Sequence, residues 1–125
     1  LANVDLTKDG LISQSEATAG GLNREPDGVT WVGDTDYFAT ANEGDLSGGS
    51  RGWSIASAVD GAVLYDAGNA MELEIARIGH YPDHRSEKKG NEPSNVLYAA
   101  VDGTPTMFVA SERSAVVLVY DVSVP

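Results

Sequence analysis

An all-β fold is predicted by three features of this 125-residue chain: seven short runs of β-branched and aromatic residues, turn dipeptides between them, and a pattern that starts twice at a Glu-Pro pair. Hydrophobic residues make up 42% of the sequence, enough for a packed core and too many for a disordered chain. The length predicts one domain.

In order, the runs occupy residues 28–32, 37–41, 53–56, 62–65, 96–101, 107–110 and 116–122. Each is rich in Val, Ile, Tyr, Phe, Trp or Thr, which suit a pleated, half-buried surface. Asp60-Gly61 stands between the third and fourth runs as a hairpin turn would, and Asp102-Gly103 precedes Thr-Pro-Thr before the sixth. The segment 70–78, Ala-Met-Glu-Leu-Glu-Ile-Ala-Arg-Ile, has helical composition, while its Leu73/Ile75 alternation also suits a strand.

The repeat emerges when Glu25-Pro26 is aligned with Glu92-Pro93. Each copy reads Glu-Pro, strand, loop, strand ending in Glu, strand, at a period of about 67 residues. That is how consecutive antiparallel strands of a β-propeller blade run. A blade takes ~40–45 residues, so blade-like repeats are expected at about 22–67 and 91–125, with an inserted connection at 68–90. Two to three such blades fall short of the ~4–8 that close a ring. The chain is therefore expected to form part of a larger propeller, with the remaining blades of a parent chain or other copies covering its open sheets.

Composition excludes several functions. With no Cys there is no disulfide framework, thiolate metal site or cysteine nucleophile. The 19 Asp+Glu against 8 Lys+Arg give a net charge of −11, which argues against nucleic acid as a partner. The longest runs without charge, 93–101 and 103–111, are far short of the ~20 apolar residues of a transmembrane helix.

Within the acidic N-terminal segment 1–21, Asp5, Thr7, Asp9, Leu11, Ser13 and Glu16 follow the spacing of a calcium-binding loop, with Gly10 at the sharp turn. Alternating oxygens converge there on one hard cation, Leu11 contributes its backbone carbonyl, and Glu16 reaches back with both oxygens. The competing interpretation is an exposed acidic turn. Gly48-Gly-Ser50-Arg-Gly52 has the form of a nucleophile elbow but lacks the strand before Ser50 and the helix after it, so a Gly-rich surface loop is expected.

Both histidines, His80 and His84, fall in a basic stretch with Arg85, Lys88 and Lys89. Pro82 lies between the histidines and opposes the helix that would make them face one metal ion together. Arg51, Arg85 and Lys88 are candidate ligands of a substrate phosphate or carboxylate. Glu25, Glu43, Glu92 and Glu112 occupy equivalent places in the two copies, before the first strand and at the end of the second. Near a channel rim they either pair with Arg24, Arg51 or Arg113, or bind a divalent ion.

Arg24-Glu-Pro-Asp-Gly-Val, Ala39-Thr-Ala-Asn-Glu-Gly-Asp45, Gly49-Ser-Arg-Gly-Trp-Ser-Ile55, His84-Arg-Ser-Glu-Lys-Lys-Gly90 with Glu92-Pro93, and Val109-Ala-Ser-Glu-Arg113 resemble the choice-of-anchor I family. The resemblance covers about residues 22–125. It implies a β-propeller in a secreted, periplasmic or cell-surface protein. Members are often described as alkaline phosphatases or phytase-like esterases, so the resemblance also raises a metal-dependent phosphoesterase as the alternative to a binding or scaffold module.

Overall fold

The computed structural model describes residues 24–44, 51–86 and 89–123. Seven strands form in chain order: β1 (Pro26–Trp31), β2 (Tyr37–Asn42), β3 (Trp53–Ser57), β4 (Val63–Asp66), β5 (Pro93–Val101), β6 (Thr104–Ser111) and β7 (Val116–Asp121). They pair antiparallel, as a four-stranded sheet β1-β2-β3-β4 and a three-stranded sheet β5-β6-β7. The protein is all-β and its two open sheets are blade-like. Between them lie one helix, α1 (Ala70–Arg77), and a 3-10 turn (Asp83–Arg85).

Local chemistry explains the joints. At the β5–β6 turn, Asp102 and Gly103 both take positive φ, 48° and 79°, as a two-residue hairpin turn matching strand twist requires. The sixth strand consequently begins at Thr104, earlier than the apolar run suggests, and includes Pro105. That proline is tolerated because its carbonyl accepts from Val122 N–H, so its N–H-less nitrogen also faces the β7 side and removes no bond to β5. In the β3–β4 turn, Asp60 Oδ1 accepts from Ala62 N–H and Gly61 takes φ 75°.

Residues 70–77 are helical. Met71 and Ile75, four apart on one face, are fully buried, and that burial decides between helix and strand.

The two sheets start alike. Glu25 and Glu92 take positive φ, 51° and 50°, just before Pro26 and Pro93. The register then slips by a bulge after each proline. Glu43 N–H donates to the Glu25 carbonyl at 3.1 Å and Glu112 N–H to the Glu92 carbonyl at 2.9 Å. A local constraint written twice in the sequence is built twice in the backbone.

The sheets pack face to face on one core. Ala39, Ala41 and Trp53 come from the first, Val96, Met107 and Val109 from the second, with Met71 and Ile75 of α1. Trp53 lies between Tyr65 and Tyr120, at ring-centroid distances of 4.8 and 4.9 Å, and so joins the sheets through aromatic contacts. Burial pushes the Tyr120 phenol up to about 12.

Candidate functional site

Charge gathers where β1 and β5 begin and β2 and β6 end. Glu92, one residue before β5, has a side chain only 4% exposed. Arg113 Nε–H donates to its Oε2 at 2.6 Å, Lys89 Nζ donates to Oε1 at 3.3 Å, and Arg85 Nη2 lies 3.6 Å from Oε2. Lys89 also lies 3.6 Å from Glu43, so it bridges the ends of the two sheets.

The two glutamates respond in opposite directions. Burial alone would push Glu92 up, but hydrogen bonds from Arg113 and Lys89 and their charges outweigh it and hold the carboxyl below its ordinary value. Glu43 is raised by burial first, with Asp27 and Glu92 adding like charge and Lys89 only partly offsetting them.

Beneath this cluster the backbone is closed by short bonds. Glu92 N–H donates to the Lys89 carbonyl and Gly90 N–H to the Arg85 carbonyl. The Ser111 hydroxyl at the end of β6 donates to the Asn91 carbonyl. This ties the connection ahead of β5 to the second sheet.

Arg51, a candidate anion ligand by sequence, is fully buried. Its Nη1 donates to the Ser86 carbonyl at 2.7 Å and lies 3.8 Å from Oε1 of Glu72, itself buried on α1. The Ser86 hydroxyl shares a 2.8 Å hydrogen bond with Tyr81. Gly90 closes over the pair: a Cβ there would meet Arg51 Nη1 at 2.6 Å and Glu72 Oε1 at 2.7 Å.

Of the other candidates, Arg85 sits on Glu92, and Lys88 lies outside the described residues. Glu25 and Glu112 join the cluster through their backbones, as acceptor and donor of the paired bonds described above. Arg24 pairs instead with Asp66 at the end of β4, at 2.9 Å. The His80 ring Nδ1 lies 3.0 Å from the Ser114 carbonyl, while His84 is exposed in the 3-10 turn. Asp5, Thr7, Asp9, Leu11 and Glu16 of the calcium-type loop, and Ser50, lie outside the described residues. Among the described residues, no three His, Asp or Glu side chains converge as a metal-holding group.

Sequence reasoning missed Glu72, Ser86 and Asn91. Glu72 was legible in principle: on a helix it stands three residues before Ile75 and beside Met71, on the face that the apolar residues turn inward.

Paired antiparallel sheets with a doubled strand-head motif define the class as a blade-type all-β module. A family model described as the choice-of-anchor I domain matches residues 46–125, more than half of the chain, and the protein belongs to that family. Membership makes it a surface-associated extracellular module. No curated protein and no solved structure matches the chain. No helix among the described residues is long and apolar enough to cross a membrane.

Proposed function

We propose that this chain is a non-catalytic binding or scaffold module of an extracellular β-propeller, stabilised by calcium through Asp5, Asp9 and Glu16. The observation that carries this reading is the engagement of the cations inside the fold. Glu92 takes Arg85, Lys89 and Arg113, and Arg51 is buried against Glu72 and Ser86. Arg51 and Arg85, two of the charges that would hold a phosphate ester, are thus engaged in fastening the connection between the sheets onto the strand heads, which serves rigidity rather than turnover. The remaining blades of a parent chain or other copies cover the open sheets.

Two measurements test the reading. Millimolar calcium should raise the melting temperature, because a ligand bound only by the folded state stabilises it by mass action; an unchanged melting temperature removes the loop site. Phosphomonoester hydrolysis, assayed with and without divalent ions, should stay at background. Metal-dependent turnover would replace the scaffold reading with a phosphoesterase in which Arg51, Arg85 and Lys88 hold the substrate.

A further inference from the structure

The ion pair of Glu92 and Arg113 is flanked by buried polar atoms that no protein group meets. Asn91, the residue before Glu92, is fully buried, and among the described residues neither its Nδ2 nor its Oδ1 has a hydrogen-bond partner. Ser114, the residue after Arg113, is 3% exposed, and its Oγ is likewise without one. The same holds for the buried Nε of Arg85, whose Nη2 lies 3.6 Å from Glu92.

Backbone bonds hold all three residues at this junction. The Asn91 carbonyl accepts from the Ser111 hydroxyl and from Arg113 N–H, the latter at 3.4 Å. The Ser114 carbonyl lies 3.0 Å from His80 Nδ1, and the Arg85 carbonyl accepts from Gly90 N–H at 2.9 Å. In the first copy the equivalent place, just before Glu25, belongs to Arg24, whose side chain is satisfied directly by Asp66 at 2.9 Å. The second copy carries a fully buried amide there, and no protein group pairs with it.

A buried amide gives up its hydrogen bonds to water on folding, so native proteins rarely leave one unpaired, and ordered water commonly satisfies such groups. The donors and acceptors agree with that solution. Asn91 Nδ2 donates and Oδ1 accepts, the Ser114 hydroxyl does both, and Arg85 Nε donates, a mixed set that suits a molecule able to do both. Ions suit it less: Arg85, Lys89 and Arg113 oppose a cation, and the Glu92 carboxylate opposes an anion.

We infer that a water molecule is built into the fold here, hydrogen-bonded to the Asn91 amide and the Ser114 hydroxyl, and that it joins the connection ahead of β5 to the β6–β7 turn. The site involves neither the calcium-type loop nor a substrate, so it stands or falls apart from the reading above.

A crystal structure at a resolution that shows ordered solvent tests the geometry. One water should lie about 2.7–3.2 Å from an amide atom of Asn91 and from Ser114 Oγ. Direct bonds from these side chains to protein groups, or a chloride ion in that place, overturn the inference. Stability gives a second test through the sign of its change. If the amide were dry and unpaired, Asn91→Leu, of similar size, should raise the melting temperature. With the water in place the same change strands the Ser114 hydroxyl and should lower it. Ser114→Ala should lower it too, and the double variant should lose less than the sum, since one water is lost only once. A raised melting temperature in Asn91→Leu, or additive losses, overturns the bridge. Should Asn91→Leu fail to fold, nuclear Overhauser transfer from long-lived water to the side-chain amide protons of Asn91 in the wild type decides instead: it should be present, and its absence removes the site.

Discussion

Arg113 reaches back from the β6–β7 turn and places its Nε 2.6 Å from Oε2 of Glu92, the residue just before β5. The head of β5 is thus tied to the β6–β7 turn, at one end of the second sheet, by a hydrogen-bonded ion pair whose acidic member is almost wholly buried. Removing that carboxylate in Glu92→Gln should cost about 2 kcal/mol at neutral pH, the scale of a hydrogen bond to a charged group. Urea denaturation of the variant against the wild type measures it.

The acid response of the two neighbouring glutamates should have opposite signs. Glu92 is held below its ordinary 4.5, so its stabilising contribution is present above that value and is lost as pH falls through the depressed folded value. Glu43 is raised, so its contribution favours the fold below 4.5 and is lost as pH rises through the raised value. Glu43→Gln should therefore leave neutral-pH stability unchanged or slightly increased. Glu92→Gln should flatten the loss of stability in acid. Melting temperatures of both variants from acid to neutral pH check the pair of signs, and parallel curves would contradict them.

Arg51→Met should destabilise by about 3–5 kcal/mol, because the buried Glu72 then loses the guanidinium 3.8 Å from its Oε1. Replacing both residues, as Arg51→Met with Glu72→Met, should recover much of that loss, since the double change leaves no isolated charge. A double-mutant cycle by chemical denaturation measures the coupling; additive losses would argue that the two side chains act separately.

Gly90→Ala tests the lid over that pair. The position has φ 54°, and the new Cβ would stand 2.6 Å from Arg51 Nη1. The left-handed backbone costs about 1 kcal/mol for alanine, and displacement of the buried pair adds to it. Gly61→Ala, with φ 75° and nothing within 4 Å of the new Cβ, should show the backbone cost alone. The difference in unfolding free energy between the two variants isolates the contact with the ion pair.

Trp53→Ala should cost about 3–5 kcal/mol, as removal of a large core aromatic does. Trp53 touches Tyr65 in its own sheet and Tyr120 in the other, so the loss should loosen the contact between the sheets. Hydrogen exchange should accelerate in both β3 and β7; a change limited to β3 would show that the aromatic stack does not couple the sheets.

The sequence by itself determined the strands and the doubled start of the sheets. Alternation at β7 and the Asp102-Gly103 turn are local, and Glu25-Pro26 and Glu92-Pro93 repeat one backbone constraint that nearby residues satisfy. Tertiary structure decided three things. Residues 70–77 became helix because Met71 and Ile75 find the shared core. Arg51, indistinguishable in sequence from an exposed anion ligand, went inside because Glu72 and the Ser86 carbonyl meet it there from distant parts of the chain. Which face of each sheet turned inward was likewise open, since Trp31 and Tyr98 hold equivalent places and only the second is covered. A strand's pattern records that it has apolar faces; which one is buried depends on what packs against it.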